Sequence, residues 1–155
     1  MIMIIVIITF LYLITVMYMY FFYSDAKRYK WLYKKTSYHV EVFNDWVFML
    51  NEGHTIEERI LKRNIRSVCV YGLTLEAYRL IEGLSHSDRI EIEYAIDKAA
   101  DSLFLNIPVI KPQNIEIAKK TDAVIICINC NNTNVKETLA GKKDWQVITL
   151  EELVG

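Results

Sequence analysis

The stretch Ser67–Leu84, "SVCVYGLTLEAYRLIEGL", decides the fold of this chain. Its first part, "SVCVYG", is a short apolar run that ends at Gly72, which is typical of a buried strand. The part after Gly72 is predicted to be a helix. A glycine between a strand and a helix permits the tight turn with which a strand–helix–strand unit begins. The stretch therefore predicts such a unit.

From Arg66 onward, short apolar runs alternate with helical stretches. The predicted strands are "SVCVYG", "IEIEYAID", "IPVI", "DAVIICIN" and "WQVITL", and the predicted helices between them are "TLEAYRLIEGL", "QNIEIAKK" and "TNVKETLAG". Strands that alternate with helices pair in parallel through right-handed crossovers. We therefore predict an α/β fold over residues 65–155, a doubly wound and mainly parallel sheet of about five strands.

Residues 1–23, "MIMIIVIITFLYLITVMYMYFFY", contain no charged residue, proline or glycine. As a helix they cover about 34 Å, which is enough to cross the hydrocarbon layer of a bilayer. Tyrosines collect near the far end, and five basic residues follow: Lys27, Arg28, Lys30, Lys34 and Lys35. By the positive-inside rule we predict a single-pass anchor in the plasma membrane, with the C-terminal domain in the cytoplasm.

Two other interpretations of residues 1–23 stay open, a cleaved signal peptide and a buried core helix. A signal peptide fits less well, because no charged region precedes the apolar run and no small-x-small cleavage site follows it. A core helix fits less well because a soluble domain seldom needs so long an uncharged segment.

Residues 24–64 are predicted to hold a basic juxtamembrane segment and two helices. In "YHVEVFNDWVFMLNEG" the apolar residues recur at spacings of three and four, which indicates an amphipathic helix that ends at Gly53. The apolar positions are Val40, Phe43, Trp46, Val47 and Leu50. Thr55 and Glu58 then form a Ser/Thr-x-x-Glu capping box, which is typical of the start of another helix.

The composition bounds the class of protein. The chain has 155 residues, of which 53% are hydrophobic and 24% charged, and its formal net charge is -1. This excludes a disordered chain and gives no global basic field, so no nucleic-acid partner is predicted. Three cysteines in a cytoplasmic chain are expected to be free thiols. The three histidines have no metal-ligand spacing, so we predict surface or capping roles for them and no metal site.

The turn at Gly72 resembles part of a phosphate-binding motif. In the G-x-G-x-x-G loop of a dinucleotide-binding unit, the second glycine lets the backbone approach the pyrophosphate and the third packs helix against strand. The corresponding residues here are Thr74 and Ala77, of which alanine is an accepted third residue. The Thr74 side chain would project toward the diphosphate, although its hydroxyl could also cap the helix or donate to a phosphate.

Asp97 strengthens the motif, because it ends the second predicted strand, where an acidic residue binds ribose hydroxyls in such folds. A structural interpretation competes with this one. Gly72 then only makes the turn, and Asp97 caps the segment that follows it.

Several segments together carry a family resemblance. They are "YGLTLEAYRLIEGL", "IDK" at residues 96–98, "IPV" before a proline, "DAVII" and the terminal "LEE". From about Phe43 to the C-terminus, the chain resembles small Rossmann-type proteins and domains of bacterial cell-surface polysaccharide clusters, which are related to nucleoside-diphosphate-sugar epimerases and dehydratases. Their loop usually has glycine where this chain has Thr74 and Ala77.

The resemblance implies a Rossmann-like fold that binds NAD(P) or a nucleotide sugar. It implies Gly72, Leu73 and Thr74 at the phosphates and Asp97 at the ribose, with Lys98 directly after it. Asn129 follows a predicted strand, and strand ends in open α/β sheets face the ligand crevice, so Asn129 is expected to line the same site. The predicted cofactor-binding residues are therefore Gly72, Leu73, Thr74, Asp97, Lys98 and Asn129.

The function that this implies is a membrane-anchored cytoplasmic module that binds a nucleotide, NAD(P) or a nucleotide sugar, as an accessory to cell-surface polysaccharide biosynthesis. Its expected partners are a membrane glycosyltransferase system or a second copy of the chain. One alternative is an NAD(P)-dependent epimerase or oxidoreductase subunit that relies on a partner for its substrate domain. Another is a scaffold of the same fold that binds no nucleotide.

No catalytic residue is predicted. Tyr94 and Lys98 have the Tyr-x-x-x-Lys spacing of short-chain dehydrogenases, but Tyr94 lies in a predicted strand, where residues four apart need not converge. Cys127 and Cys130 form a single C-x-x-C, and a structural zinc needs a second pair of ligands. A redox pair is the alternative for these two cysteines.

Overall fold

The computed structural model describes residues 2–99, 103–128, 132–142 and 144–155. The chain divides into two compact units, Met1–Ser37 and Tyr38–Gly155. A single helix, α1, runs through Ile2–Asn51. The residues predicted as anchor, juxtamembrane segment and amphipathic helix all lie in this one helix. No glycine or proline occurs before Gly53, so nothing in the sequence interrupts the backbone hydrogen bonds.

In the first unit, the large apolar side chains of α1 are exposed. The most apolar 18-residue window has a mean hydropathy of 2.4 and none of it is buried. By length and composition, this helix is sufficient to cross a membrane.

The second unit begins with the last turns of α1, where Val42 and Met49 are buried in the domain core. The helix is followed by Gly53, whose φ of 81° turns the chain. The short helix α2, Ile56–Leu61, comes next, and the predicted capping box is confirmed: the Thr55 hydroxyl accepts from the Glu58 backbone N–H, and the Glu58 carboxylate accepts from Thr55 N–H.

Within its described residues, this unit has a sheet of six strands. They are β1 Ser67–Tyr71, β2 Glu91–Ile96, β3 Leu103–Phe104, β4 Ile107–Ile110, β5 Ala123–Ile126 and β6 Gln146–Thr149. Their order is β3-β4-β2-β1-β5-β6, and all neighbours are parallel except β3 and β4. Five parallel strands with β1 in the middle make the doubly wound, Rossmann-like α/β fold that the sequence predicted.

Helices cover both faces of the sheet. They are α3 Leu75–Leu84, a 3-10 helix Pro112–Ile117, α4 Asn132–Ala140 and α5 Glu151–Val154. Alternate side chains of the strands point to opposite faces. Val68 and Ile125 belong to the core shared with α2, α3 and α5, while Cys69 and Ile126 belong to the core under the 3-10 helix and α4. The predicted helix "QNIEIAKK" is thus a 3-10 helix that starts one residue earlier, at Pro112.

The amino-terminal end of β1 is held by a carboxylate. Asp122 Oδ2 accepts hydrogen bonds from the backbone N–H groups of Arg66, at 2.8 Å, and Ser67, at 2.9 Å. These bonds lower the pKa of Asp122 below its usual value, since both favour the charged form. This cap lies at the opposite end of β1 from Gly72.

Candidate functional site

The carboxyl ends of β1 and β5 lie side by side at the point where the strand order reverses. From β1 the chain winds through α3 to β2 on one side, and from β5 it winds through α4 to β6 on the other. In open α/β sheets, ligands bind outside the strand ends at such a switch point. The residues after these strands therefore define the candidate site.

Gly72 follows β1 directly, with a φ of 90°. Residues with a side chain rarely adopt this backbone conformation. A Cβ at this position would also lie 2.0 Å from Cγ2 of Ile128, the second residue after β5. The Gly72 N–H donates to the Ile96 carbonyl at 2.8 Å, which ties the turn to the end of β2. Both the turn and the close approach of Ile128 thus require glycine.

Asp97 reaches across from the end of β2 to the loop after β1. Its Oδ2 accepts from the Leu73 backbone N–H at 2.9 Å, and its Oδ1 accepts from the Ala99 backbone N–H at 2.8 Å. The side chain is partly buried. Each carboxylate oxygen can accept more than one hydrogen bond, so both retain capacity for further donors.

Thr74 is the N-cap of α3. Its Oγ1 accepts from the Ala77 backbone N–H at 3.3 Å and donates to the Cys127 carbonyl at 2.8 Å. Of the two roles that the sequence left open for this hydroxyl, the structure shows the helix cap. The backbone N–H groups of Leu75 and Glu76, in the first turn, have no acceptor within the helix.

A cleft of about 340 Å³ opens beside these groups. It is lined by Tyr71, Gly72, Ile96, Asp97, Lys98, Ile128 and Val135. A second cavity of about 200 Å³ shares Tyr71 and Val135 with the first and continues between the 3-10 helix and α4, where Pro112 and Ile115 supply an apolar wall. The first cavity therefore has two charged side chains, Asp97 and Lys98, and the second has an apolar wall with Lys142 among its other lining residues.

Tyr71 is the residue that both cavities share. Burial raises its pKa, and the Asp97 carboxylate raises it further. The phenol is therefore protonated near neutral pH and can donate a hydrogen bond to a ligand in either cavity.

A buried polar cluster lies behind the loop. The Glu76 side chain, in the first turn of α3, is fully buried and its Oε1 is hydrogen-bonded to His39 Nδ1 of α1. Within the described part of the chain, Glu76 Oε2 has no hydrogen-bond partner. Burial and the nearby Glu151 carboxylate raise the pKa of Tyr38, which neighbours His39. The surface or capping role predicted for His39 is wrong, since it makes a long-range pair with a buried acid.

No motif in the sequence indicated this pair. His39 and Glu76 are 37 residues apart and belong to different helices. Only the position of Glu76 in the helical pattern gave a hint, because residues 76, 77, 80, 81 and 84 form the buried face of α3. A glutamate on that face needs a partner from another element.

Of the six residues predicted to bind a ligand, Gly72, Asp97 and Lys98 line the cleft. Leu73 lies in the adjacent loop and donates its backbone N–H to Asp97. Thr74 lies beside them but directs its hydroxyl to Cys127. Asn129 and Cys130 lie outside the described residues.

The other candidate chemistry has little support. Tyr94 lies in β2, as predicted, and its hydroxyl donates to the Lys119 carbonyl at 3.0 Å. The Cys69 and Cys127 side chains are buried. Burial raises the pKa of Cys127, with Glu76 and Glu151 adding to the effect, whereas a redox-active thiol needs a lowered pKa.

No protein-family model matches the chain, and no curated protein matches its sequence. Among solved structures, UDP-D-quinovosamine 4-dehydrogenase from Vibrio fischeri is similar to it, with a TM-score of 0.48 and 19% sequence identity. The likeness covers 55% of this chain and 77% of that one. A likeness of this size carries no information about activity, and the Rossmann-like fold follows from the strand order itself.

Proposed function

We propose that the chain is a membrane-anchored module whose cytoplasmic Rossmann-like domain binds a nucleotide, either NAD(P) or a nucleotide sugar, without catalysing a reaction on its own. One observation carries the proposal. Asp97 stands at the end of β2, bridges to the loop after β1, and lines the cleft together with Gly72 and Lys98. A carboxylate in this position suits the hydroxyls of a ribose.

The rest of the cleft suits the other parts of a nucleotide. Lys98 supplies a positive charge for a phosphate. The N-terminus of α3 carries a partial positive charge, which also favours a phosphate near the loop. The apolar wall at Pro112, Ile115 and Val135 suits a planar base. Two backbone amides near the turn, that of Leu73 in the loop and that of Ala77 in the first turn of α3, already donate within the protein, which favours a single bound phosphate over a tightly held diphosphate.

The membrane part of the proposal depends on residues 1–35. The uncharged segment is long enough to span a bilayer, and the basic residues that follow it suit anionic headgroups on the cytoplasmic face. A role beside a membrane glycosyltransferase system, in cell-surface polysaccharide biosynthesis, is the biological setting that we propose from the family resemblance.

A scaffold that binds no nucleotide is the second candidate. It is favoured by the fact that Thr74 and Asp97 both make their hydrogen bonds within the protein. The two candidates differ in whether Asp97 contributes binding energy to a ligand.

We expect calorimetric titration of the full chain in detergent micelles to detect binding of NAD, NADP or a UDP- or GDP-sugar. Asp97→Asn keeps one acceptor oxygen for the loop but loses the charge, so affinity should fall by about tenfold or more. Asp122→Asn is the matched control, because Asp122 also accepts two backbone N–H groups but lies at the other end of β1.

The outcome separates the candidates. Loss of affinity in Asp97→Asn with normal affinity in Asp122→Asn supports the proposed site. Equal affinities in both variants would place the ligand elsewhere, and a panel without any response would favour the scaffold.

A further inference from the structure

A stripe of apolar side chains on α1 is exposed even where that helix packs on the domain. Val40 and Val47 are each 55% exposed and Leu50 is 51% exposed, while Phe43 between them is half-buried. We call these four residues the outer stripe. Leaving such side chains in water forgoes the stabilisation that burial gives, so the stripe indicates a contact surface.

The outer stripe has the geometry of a coiled-coil seam. Its residues are spaced by three, four and three, which are the a and d positions of a heptad. Val42 and Met49, which are buried in the domain core, point away from the stripe by roughly a third of a helical turn, and Trp46, which packs half-buried against that core, lies between them and the stripe. The domain therefore leaves the seam accessible. Phe48 is also exposed, and it points away from the stripe by roughly a third of a helical turn in the direction opposite to Val42 and Met49.

We propose that the outer stripe is the contact between two copies of this chain, paired in parallel. Two copies inserted in one membrane by the same segment are parallel, and the same number of residues separates that segment from the stripe in each. Their stripes therefore lie at the same height and meet in register. A helix of a different protein would need the same spacing from the membrane to do so. A two-fold pair of this kind brings the same patch of each copy together.

The charge pattern also suits a second copy. Between Val40 and Leu50 the charged residues are Glu41 and Asp45, and both lie off the stripe. Two identical stripes thus meet without contact between like charges. A basic or acidic partner would gain no complementary charge at the seam.

The size of the stripe sets the conditions for pairing. Four helix side chains offer well under the ~800 Å² per partner that a stable soluble complex buries. The pair therefore depends on the high local concentration of chains held in one membrane. This pairing goes beyond the proposed nucleotide site and does not depend on it, but it rests on the membrane anchor of the proposed function.

Cysteine cross-linking in proteoliposomes tests the pairing. Single cysteines are placed at Val40 or Val47 on the stripe, and at Glu41 or Asp45 off it, in a Cys130→Ser background of the full chain. Cys69 and Cys127 stay, because both are buried. With a mild oxidant, Val40→Cys and Val47→Cys should give covalent dimers about fivefold faster than the two off-stripe variants, since a disulfide needs Cα atoms within about 7 Å.

Each outcome decides the question. A preference for the stripe positions that persists when the lipid is diluted about tenfold supports a specific pair. Equal rates at all four positions would mean random collision and would overturn the proposal. Absence of dimers from every variant would overturn it as well, and would leave the stripe to a different protein.

Discussion

Replacing His39 by alanine should lower the free energy of unfolding of the domain by about 3 kcal/mol, because the substitution leaves a buried carboxylate without its partner. Glu76 is fully buried and hydrogen-bonded to His39. Thermal unfolding of the full chain in micelles, followed by circular dichroism, should show a fall in Tm on the order of 10 °C.

Two further variants make this result specific. His86→Ala is the matched control, because His86 is exposed, and its effect should stay within about 0.5 kcal/mol. His39→Ala combined with Glu76→Gln should regain part of the loss, since a neutral amide costs less to bury than a carboxylate. If His39→Ala is no less stable than His86→Ala, the His39–Glu76 pair contributes nothing to stability.

Gly72→Ala is expected to destabilise the domain by about 1–3 kcal/mol from the backbone conformation alone, because a residue with a side chain is unfavourable at this φ. The contact with Ile128 adds to that cost, because a Cβ would lie 2.0 Å from its Cγ2. The loop after β1 would have to move, so nucleotide affinity should fall in parallel. Unfolding and titration of the same preparation measure both effects.

Gly83→Ala is the matched control for this substitution. Gly83 lies in α3, and a Cβ there would meet nothing within 4 Å. Alanine in a helix is more favourable than glycine by about 0.5–1 kcal/mol, so this variant should be slightly more stable than the natural chain. A Gly72→Ala variant as stable as Gly83→Ala would show that the turn does not need glycine.

The sequence predicted the features of the fold that are local. Short apolar runs between helical stretches indicated the five parallel strands, and the glycine after the first of them indicated the turn at Gly72. The capping box at Thr55 followed from side chains that bond to the backbone three residues away, and the cap at Thr74 is one of the two roles that the sequence left open for its hydroxyl. The two-residue strand β3 was missed, because so short a run has no periodicity.

The features that the sequence did not predict are contacts between distant elements. The pair His39–Glu76 joins two helices, and no motif assigned a role to either residue. The exact use of Asp97 was also open, because spacing placed it near the loop but could not give its hydrogen bonds to Leu73 and Ala99. In both cases, tertiary packing rather than local pattern determines the bonds.

The most direct test of the proposed site is to follow the backbone amides of the full chain by NMR in micelles while a nucleotide is added. The Leu73 and Ala99 N–H groups donate to the Asp97 carboxylate, so ribose binding to that carboxylate should shift both signals, together with Lys98, along one binding curve. The amides of Arg66 and Ser67, bonded to Asp122, should stay unchanged. Saturation by any of the nucleotides without a shift at Leu73 and Ala99 would contradict the account.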